Sequence, residues 1–283
     1  MIDLHTHSTY SDGTLTPEAL IALAEETGLS AVALCDHNTV RGLPDFLEAA
    51  KGSCVEAIPG IEFSTDYRDI DLHIVALWVQ PEHYAAITDL LQEALERKEA
   101  SNRALIDSLN RAGLALDYDQ IKAAAPGGLV NRAVIAAEMT RLGYTSSVQA
   151  AFSRWLSPRR GYYVPPRRPD TFEVIRFIGS LGAVSVLAHP FLNLDEAQLR
   201  IFLPEAVAAG LDGMETLYPK FDEATSCKAA ELAKEFGLLT GGGSDFHGEN
   251  KPEIRLGTGT GTLCVPDAFL TALKERLAQR SAH

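Results

Sequence analysis

The chain has 283 residues, 46% of them hydrophobic, with 25 lysines and arginines against 38 aspartates and glutamates, a formal net charge of −13. That is enough apolar material for one large domain or a barrel with an insert, and the acidic balance argues against broad electrostatic binding to duplex nucleic acid. No run of ~18 uncharged apolar residues predicts a membrane helix, Met1-Ile2-Asp3-Leu4 lacks the marks of a signal peptide, and Cys35, Cys54, Cys227 and Cys264 form no CxxC pair, which fits reduced thiols and a cytoplasmic location.

Ile2–Thr6 reads as a strand. Residues i and i+2 of a strand project to one face, so His5 and His7 point together, and Asp12 follows closely. Two imidazoles beside a carboxylate suit a divalent ion. Thr16-Pro17-Glu18 is an N-cap, a first-turn proline and a first-turn acid, and Gly28 stops that helix. Ser30–Cys35 is an apolar strand ending in Asp36-His37. Strand, helix, strand implies a parallel pair with a crossover helix. A second helix covers Leu43–Lys51. The run Cys54–Ile58 passes through Pro59-Gly60 into Ile61–Ser64, with Glu62 at its end, and His73 lies within a strand over Asp71–Leu77. From Pro81 to Gly113 the apolar spacing is helical; a continuous helix there would be about 45 Å long and would leave the barrel.

Residues 99–164 read as short helices joined by glycine turns, a small helical subdomain inserted between barrel segments 1–98 and 165–283. Asn131 caps Arg132–Leu142, and Ser146–Leu156 is a further helix. Arg154 and the stretch Ser157–Arg168 form the most basic part of the chain, interleaved with aromatic residues and free of acids. After Pro169 the alternation resumes. Asp170 caps a helix to Gly182, the strand Ala183–Leu187 ends in Ala188-His189-Pro190, and a helix over 195–209 precedes a strand at Gly213–Glu215. Asp222–Phe236 is helical, and Leu238–Thr240 leads into Gly241–His247. A strand over Gly261–Val265 and a helix over Pro266–Leu277 close the chain.

His5, His7, Asp12, His37, Glu62, His73, His189, Asp245 and His247 all fall within or just after predicted strands, and they use six of the eight histidines. That strand edge carries the chemistry of parallel α/β sheets and barrels. A lone strand histidine is more often a satisfied core group. Several strand ends bearing histidines and carboxylates together point to a shared metal site.

The series HxH…D, DH, PGxE, H, AHP and SDxH resembles the polymerase and histidinol phosphatase (PHP) family of metal-dependent phosphoesterases, over roughly 1–80 and 170–265. The resemblance implies an α/β fold, a distorted (β/α)7 barrel with metals at the C-terminal strand ends. It implies two or three divalent ions, manganese foremost, with zinc or iron as alternatives. His5, His7, Glu62 and Asp245 would hold the first; Glu62 would bridge to a second on His73 and His189; Asp12, His37 and His247 would hold a third. Many members carry histidine at the position of Asp12. Asp36 matches no ligand and reads as a group orienting an imidazole or capping a loop. Asn131-Arg132-Ala133, Phe152, Trp155-Leu156 and Gly161–Pro165 are similar to the insertion of the nucleoside 3′,5′-bisphosphate phosphatases and of relatives acting on short RNA 5′ ends.

Clustered divalent ions suit phosphate-ester hydrolysis by direct water attack, and no Ser or Cys nucleophile with a matched base is visible. His189, His247 and Asp245 are the catalytic candidates, with the general acid unassigned. Arginine binds phosphate bidentately, and aromatic rings stack on bases. Arg132, Arg159 and Arg160, with Asn131 and Tyr162, are therefore the substrate candidates. The expected partner is a small nucleotide bisphosphate or a short oligonucleotide, and no oligomeric state is specified. Histidinol-phosphate hydrolysis, a non-catalytic metal-stabilised module and an amidohydrolase acting on a C–N bond are the alternatives.

Overall fold

Every residue of the first strand, Ile2–Thr6, is buried, which places it inside a sheet covered on both faces. The computed structural model describes residues 1–125, 128, 130–166 and 168–281, so Arg167 of the basic stretch lies outside the described residues. The chain forms two compact units, Met1–Thr88 with Pro169–His283, and Asp89–Arg168; the sequence places the corresponding boundaries at 98/99 and 164/165.

In the first unit seven strands form one sheet in sequence order: β1 (Ile2–Thr6), β2 (Ala31–Leu34), β3 (Glu56–Tyr67), β4 (Ile70–Leu77), β5 (Val184–Leu187), β6 (Gly213–Leu217) and β7 (Leu239–Gly242). β1, β2 and β3 pair in parallel, as do β5, β6 and β7, whereas β4 is antiparallel to both neighbours. The result is a distorted β/α barrel with one reversed strand. The reversal is made by a two-residue turn in which Arg68 and Asp69 both have positive φ, +52° and +67°, the geometry that matches the twist of a tight hairpin. Beyond β7 the chain rejoins β1: Asp245 N donates to His5 O (2.8 Å) and His7 N to Phe246 O (2.9 Å). Gly243 permits this approach, since a Cβ there would lie 2.4 Å from His5 Cβ. Ile2, Leu4, Ala33, Ile58, Val75 and Val186 belong to one buried cluster in this unit.

The helices are α1 (Pro17–Glu26), α2 (Leu43–Ala49), α3 (Tyr84–Arg111), α4 (Tyr118–Ala124), α5 (Arg132–Arg141), α6 (Val148–Ala151), α7 (Thr171–Ser180), α8 (Glu196–Ala209), α9 (Glu223–Glu235) and α10 (Asp267–Ser281). The predicted caps are in place: the side chains of Thr16, Asn131 and Asp170 accept bonds from the first-turn amides of α1, α5 and α7. Unit 2 has its own core, in which Leu105, Leu109, Ile135 and Met139 are buried together. No helix among the described residues is long and apolar enough to cross a membrane.

Two expectations are corrected. Gly261–Val265 is not a strand; Val265 makes only an isolated bridge to Ile2. Gly257, Gly259 and Gly261 take φ of +73°, +55° and +114°, values that coil the chain rather than extend it. The helix expected over Ser146–Leu156 is α6 followed by a π-helical turn, Phe152–Leu156.

An ion cluster centred on one buried carboxylate ties α10 to the barrel. Asp212 is 1% exposed and accepts from Ser185 N (2.9 Å), Arg280 Nη2 (2.9 Å) and Arg276 Nη1 (3.3 Å). Removing the buried carboxylate leaves Ser185 N without its acceptor and the partly exposed Arg276 and Arg280 without their anion. Asp212→Ala is expected to destabilise the chain by about 1–3 kcal/mol, read from the midpoint of urea unfolding.

Candidate metal centre

The strand ends of unit 1 converge on Glu62, a fully buried carboxylate near the middle of β3. Its Oε2 lies 3.2 Å from His5 Nε2, 3.3 Å from His7 Nε2 and 3.0 Å from His37 Nδ1. Its Oε1 lies 2.8 Å from His73 Nδ1 and 3.1 Å from His189 Nε2. His73 reaches this point because β4 is reversed: it pairs with Ser64, and its carbonyl accepts from Ala188 N just past the end of β5. Asp245 Oδ1 is 3.2 Å from His7 Nε2 and 3.4 Å from His247 Nδ1. Asp12 Oδ1 is 3.2 Å from His247 Nε2, and Asp12 Oδ2 is 3.8 Å from His37 Nε2.

These atoms suit cations. Among the described residues, three overlapping groups each bring ligand atoms within 4.8 Å of one another: His5, His7 and Asp245; His37, Glu62 and His73; and His7, Asp12, His37 and His247. His5 Nε2, both ring nitrogens of His7, His37 Nδ1 and Glu62 Oε2 are buried and make no hydrogen bond. The nitrogens lie near carboxylate oxygens without donor–acceptor alignment, as lone pairs aimed at common points would. Buried polar atoms without partners are otherwise rare, and imidazole with carboxylate is the donor set of divalent transition metals. All nine residues singled out in the sequence as ligands therefore lie in one cluster. The partition differs, because His7 and His37 each enter two groups and His189 stands at Glu62 outside the three.

Electrostatics follow from this crowding. Burial would raise the Glu62 carboxyl, but the surrounding His37, His5 and His73 hold it well below the usual carboxylate range. Burial opposes protonation of His73, yet Glu62 and Asp71 push it up to about 10. Burial drives His7 well below the ordinary histidine value, and His247 and His37 add to that. The backbone is strained at two of these residues: His189 has φ +30° and Asp245 φ +53°. Non-glycine residues held there cost about 1–3 kcal/mol each and concentrate at functional sites.

Several contributors carry no motif. Glu215, on β6, is buried with Oε1 2.9 Å from His5 Nδ1 and Oε2 2.6 Å from His189 N. Asp245 Oδ2 accepts from Tyr218 OH (2.9 Å) and Lys251 Nζ (2.6 Å); only their nearness to the SDxH segment in a folded chain identifies them. Of the two roles open to Asp36, the structure gives it the loop-capping one. It accepts from Ser8 N (2.8 Å), Ser8 Oγ (2.6 Å) and Ser11 Oγ (2.6 Å) and so holds the loop that carries Asp12.

The substrate candidates lie in unit 2. Arg132 stands over the rings of Tyr163 (4.5 Å) and Phe152 (5.6 Å), and its Nη1 donates to Leu156 O (3.4 Å). Arg160 Nε donates to Ser153 O (2.7 Å), and Arg159 is exposed. Asn131 caps α5 through Val134 N (2.9 Å), and Tyr162 packs on Trp155 with ring centroids 5.2 Å apart.

Metal loading at pH 7 is expected to displace protons. His73 keeps its proton up to about 10 in the metal-free chain, and a nitrogen must be deprotonated to bind metal. Affinity should therefore rise with pH below that value, by up to about tenfold per unit for each proton displaced. Titration calorimetry in two buffers of different ionisation enthalpy measures the release; identical apparent enthalpies would contradict it.

Comparison with known proteins agrees with the geometry. The PHP domain model matches residues 3–158. The 5′-3′ exoribonuclease of Haemophilus influenzae is 35% identical over 246 residues, covering 87% of this chain and 89% of the relative. The phosphoribosyl 1,2-cyclic phosphate 1,2-diphosphodiesterase of Eggerthella lenta is 32% identical, covering 87% and 94%. The 3′,5′-nucleoside bisphosphate phosphatase of Chromobacterium violaceum is 28% identical, covering 87% of each. A solved structure assigned as a metal-dependent phosphoesterase of Bifidobacterium adolescentis superposes with a TM-score of 0.85 at 26% identity, over 97% of this chain and 96% of the other. With its converging histidines and carboxylates on a distorted barrel, this chain belongs to the PHP domain family of metal-dependent phosphoesterases.

Proposed function

We propose that this phosphoesterase removes the 3′-phosphate from nucleoside 3′,5′-bisphosphates, leaving the 5′-monophosphate, and that the same geometry trims very short oligoribonucleotides from the 5′ end. The observation that carries the reading is the set of three overlapping ligand groups found among the described residues, one of which contains Glu62. His5, His7, Glu62 and Asp245 would hold one ion, Glu62 with His73 and His189 a second, and Asp12, His37 and His247 a third. Bound divalent ions, manganese foremost, would polarise the phosphoryl oxygens and lower the pKa of water toward ~7.

The protein's own part is placement. Asp36 fixes the loop that bears Asp12. Tyr218 and Lys251 tie one oxygen of Asp245 and leave the other turned to His7. His189, His247 and Asp245 line the centre where a scissile phosphate would sit. Arg132 is the favoured anchor for the second phosphate, because stacking on Tyr163 and Phe152 limits the freedom of its guanidinium. Arg159, Arg160, Asn131 and Tyr162 would complete that recognition. The Haemophilus and Chromobacterium relatives support this choice by their names, since both substrates join a nucleoside to phosphate.

Phosphate release by metal-loaded protein tests it. The 3′,5′-bisphosphate should be preferred over either monophosphate and over histidinol phosphate; a preference for a monophosphate would sink the two-phosphate reading. Arg132→Ala should lower kcat/KM for the bisphosphate about 30-fold, the loss of ~2 kcal/mol typical of a hydrogen bond to a charged group, and leave hydrolysis of a small aryl phosphate unchanged.

A further inference from the structure

We infer that Glu215 is a positioning residue that sets the tautomer of His5 and the backbone of His189 together. The inference rests on the metal-centre part of the reading above and not on the substrate. Glu215 is 2% exposed. Its Oε2 is 2.6 Å from His189 N, which can only donate, so Oε2 accepts. Its Oε1 is 2.9 Å from His5 Nδ1. A carboxylate oxygen is an acceptor, so Nδ1 carries the hydrogen of that bond. The lone pair of a neutral His5 is then on Nε2, and Nε2 is the buried atom without a hydrogen bond, facing Glu62 Oε2 at 3.2 Å and Asp245 Oδ1 at 3.9 Å.

The second contact acts on a strained backbone. His189 precedes proline and has φ +30° and ψ +55°. A residue before proline is steered away from helical backbone toward extended conformations, so surrounding contacts must hold His189 where it is. The Glu215 bond to its amide is one such contact. One side chain thus governs a group on β1 and another just after β5.

Glutamine cannot replace it. Turned one way, its NH2 faces His5 Nδ1, which must then accept, and the ring proton moves to Nε2, where a metal would bind. Turned the other way, its NH2 faces the His189 N–H, and two donors oppose each other. Only a side chain with two acceptor oxygens satisfies both neighbours.

The test compares wild type, Glu215→Gln, Glu215→Asp, His5→Ala and the His5→Ala/Glu215→Gln double variant, using zinc as the probe. Zinc affinity by chelator competition should fall about 10–100-fold in Glu215→Gln, the usual effect of losing a group that orients a ligand. The far-UV spectrum and unfolding midpoint check that the chain is folded. Long-range proton–nitrogen NMR of the zinc-free wild type should show His5 with its hydrogen on Nδ1, and zinc-free Glu215→Gln should lose that signal. In the His5→Ala background the glutamine substitution should cost much less affinity than in wild type. Unchanged zinc affinity in Glu215→Gln, a retained Nδ1–H signal, or equal losses with and without His5 would each overturn the inference. If the glutamine chain does not fold, Glu215→Asp decides: it keeps two acceptors and should keep the Nδ1–H signal, and its loss in a folded chain would overturn the inference. Because the readouts are metal affinity and proton position, a failure of the bisphosphate reading leaves this result standing.

Discussion

A single buried carboxylate sets the terms for the rest of the first unit. Glu62 is shielded from water yet has five imidazole nitrogens within 3.3 Å. An ionised carboxylate left alone in such a place would be prohibitively costly. It requires positive charge around it, as protons on histidines or as metal ions. The side chains gathered at this centre come from the whole sheet. β1 supplies His5, the turn after β2 His37, β3 Glu62 itself, β4 His73, the turn after β5 His189, β6 Glu215 and the turn after β7 Asp245.

Parallel strands bring their C-terminal ends to one edge, and most of these residues arrive that way. His73 cannot, since it lies early in β4. Reversing that strand carries its early residues to the same edge. The tight turn at Arg68 and Asp69 makes the reversal with two residues in left-handed backbone, and the antiparallel pairing then fixes His73 opposite Ser64. The departure from a regular barrel is therefore tied to the composition of the centre.

Much of this was legible in the chain itself. His5 and His7, His37, Glu62, His189 and Asp245 stand at the ends of short apolar runs, and that placement is what a shared strand edge produces. The helix starts at Thr16, Asn131 and Asp170 were legible for the same kind of local reason, a side chain able to accept from its own first turn. What escaped depends on long-range geometry. Glu215 sits in a short strand with no motif, and its role comes from meeting His5 across 210 positions of sequence. Tyr218 and Lys251 are ordinary residues until the fold brings both to Asp245. The run at Gly261–Val265 has the composition of a strand, but the positive φ of three nearby glycines is a property of the folded chain. The hairpin at Arg68-Asp69 lacks the Asn-Gly or Asp-Gly pair that announces such turns.

The left-handed backbone at His189 and Asp245 has an evolutionary meaning. Glycine is the residue those dihedrals favour, whereas an imidazole and a carboxylate stand there, beside Glu62 and His7. Selection for stability alone would drift toward glycine at both positions, and selection for the side-chain contacts to Glu62 and His7 would restore histidine and aspartate. Stability and these contacts thus pull in opposite directions at these two residues. A thermostabilised descendant of this chain would have to gain its margin elsewhere, in parts of the barrel that no ion would touch.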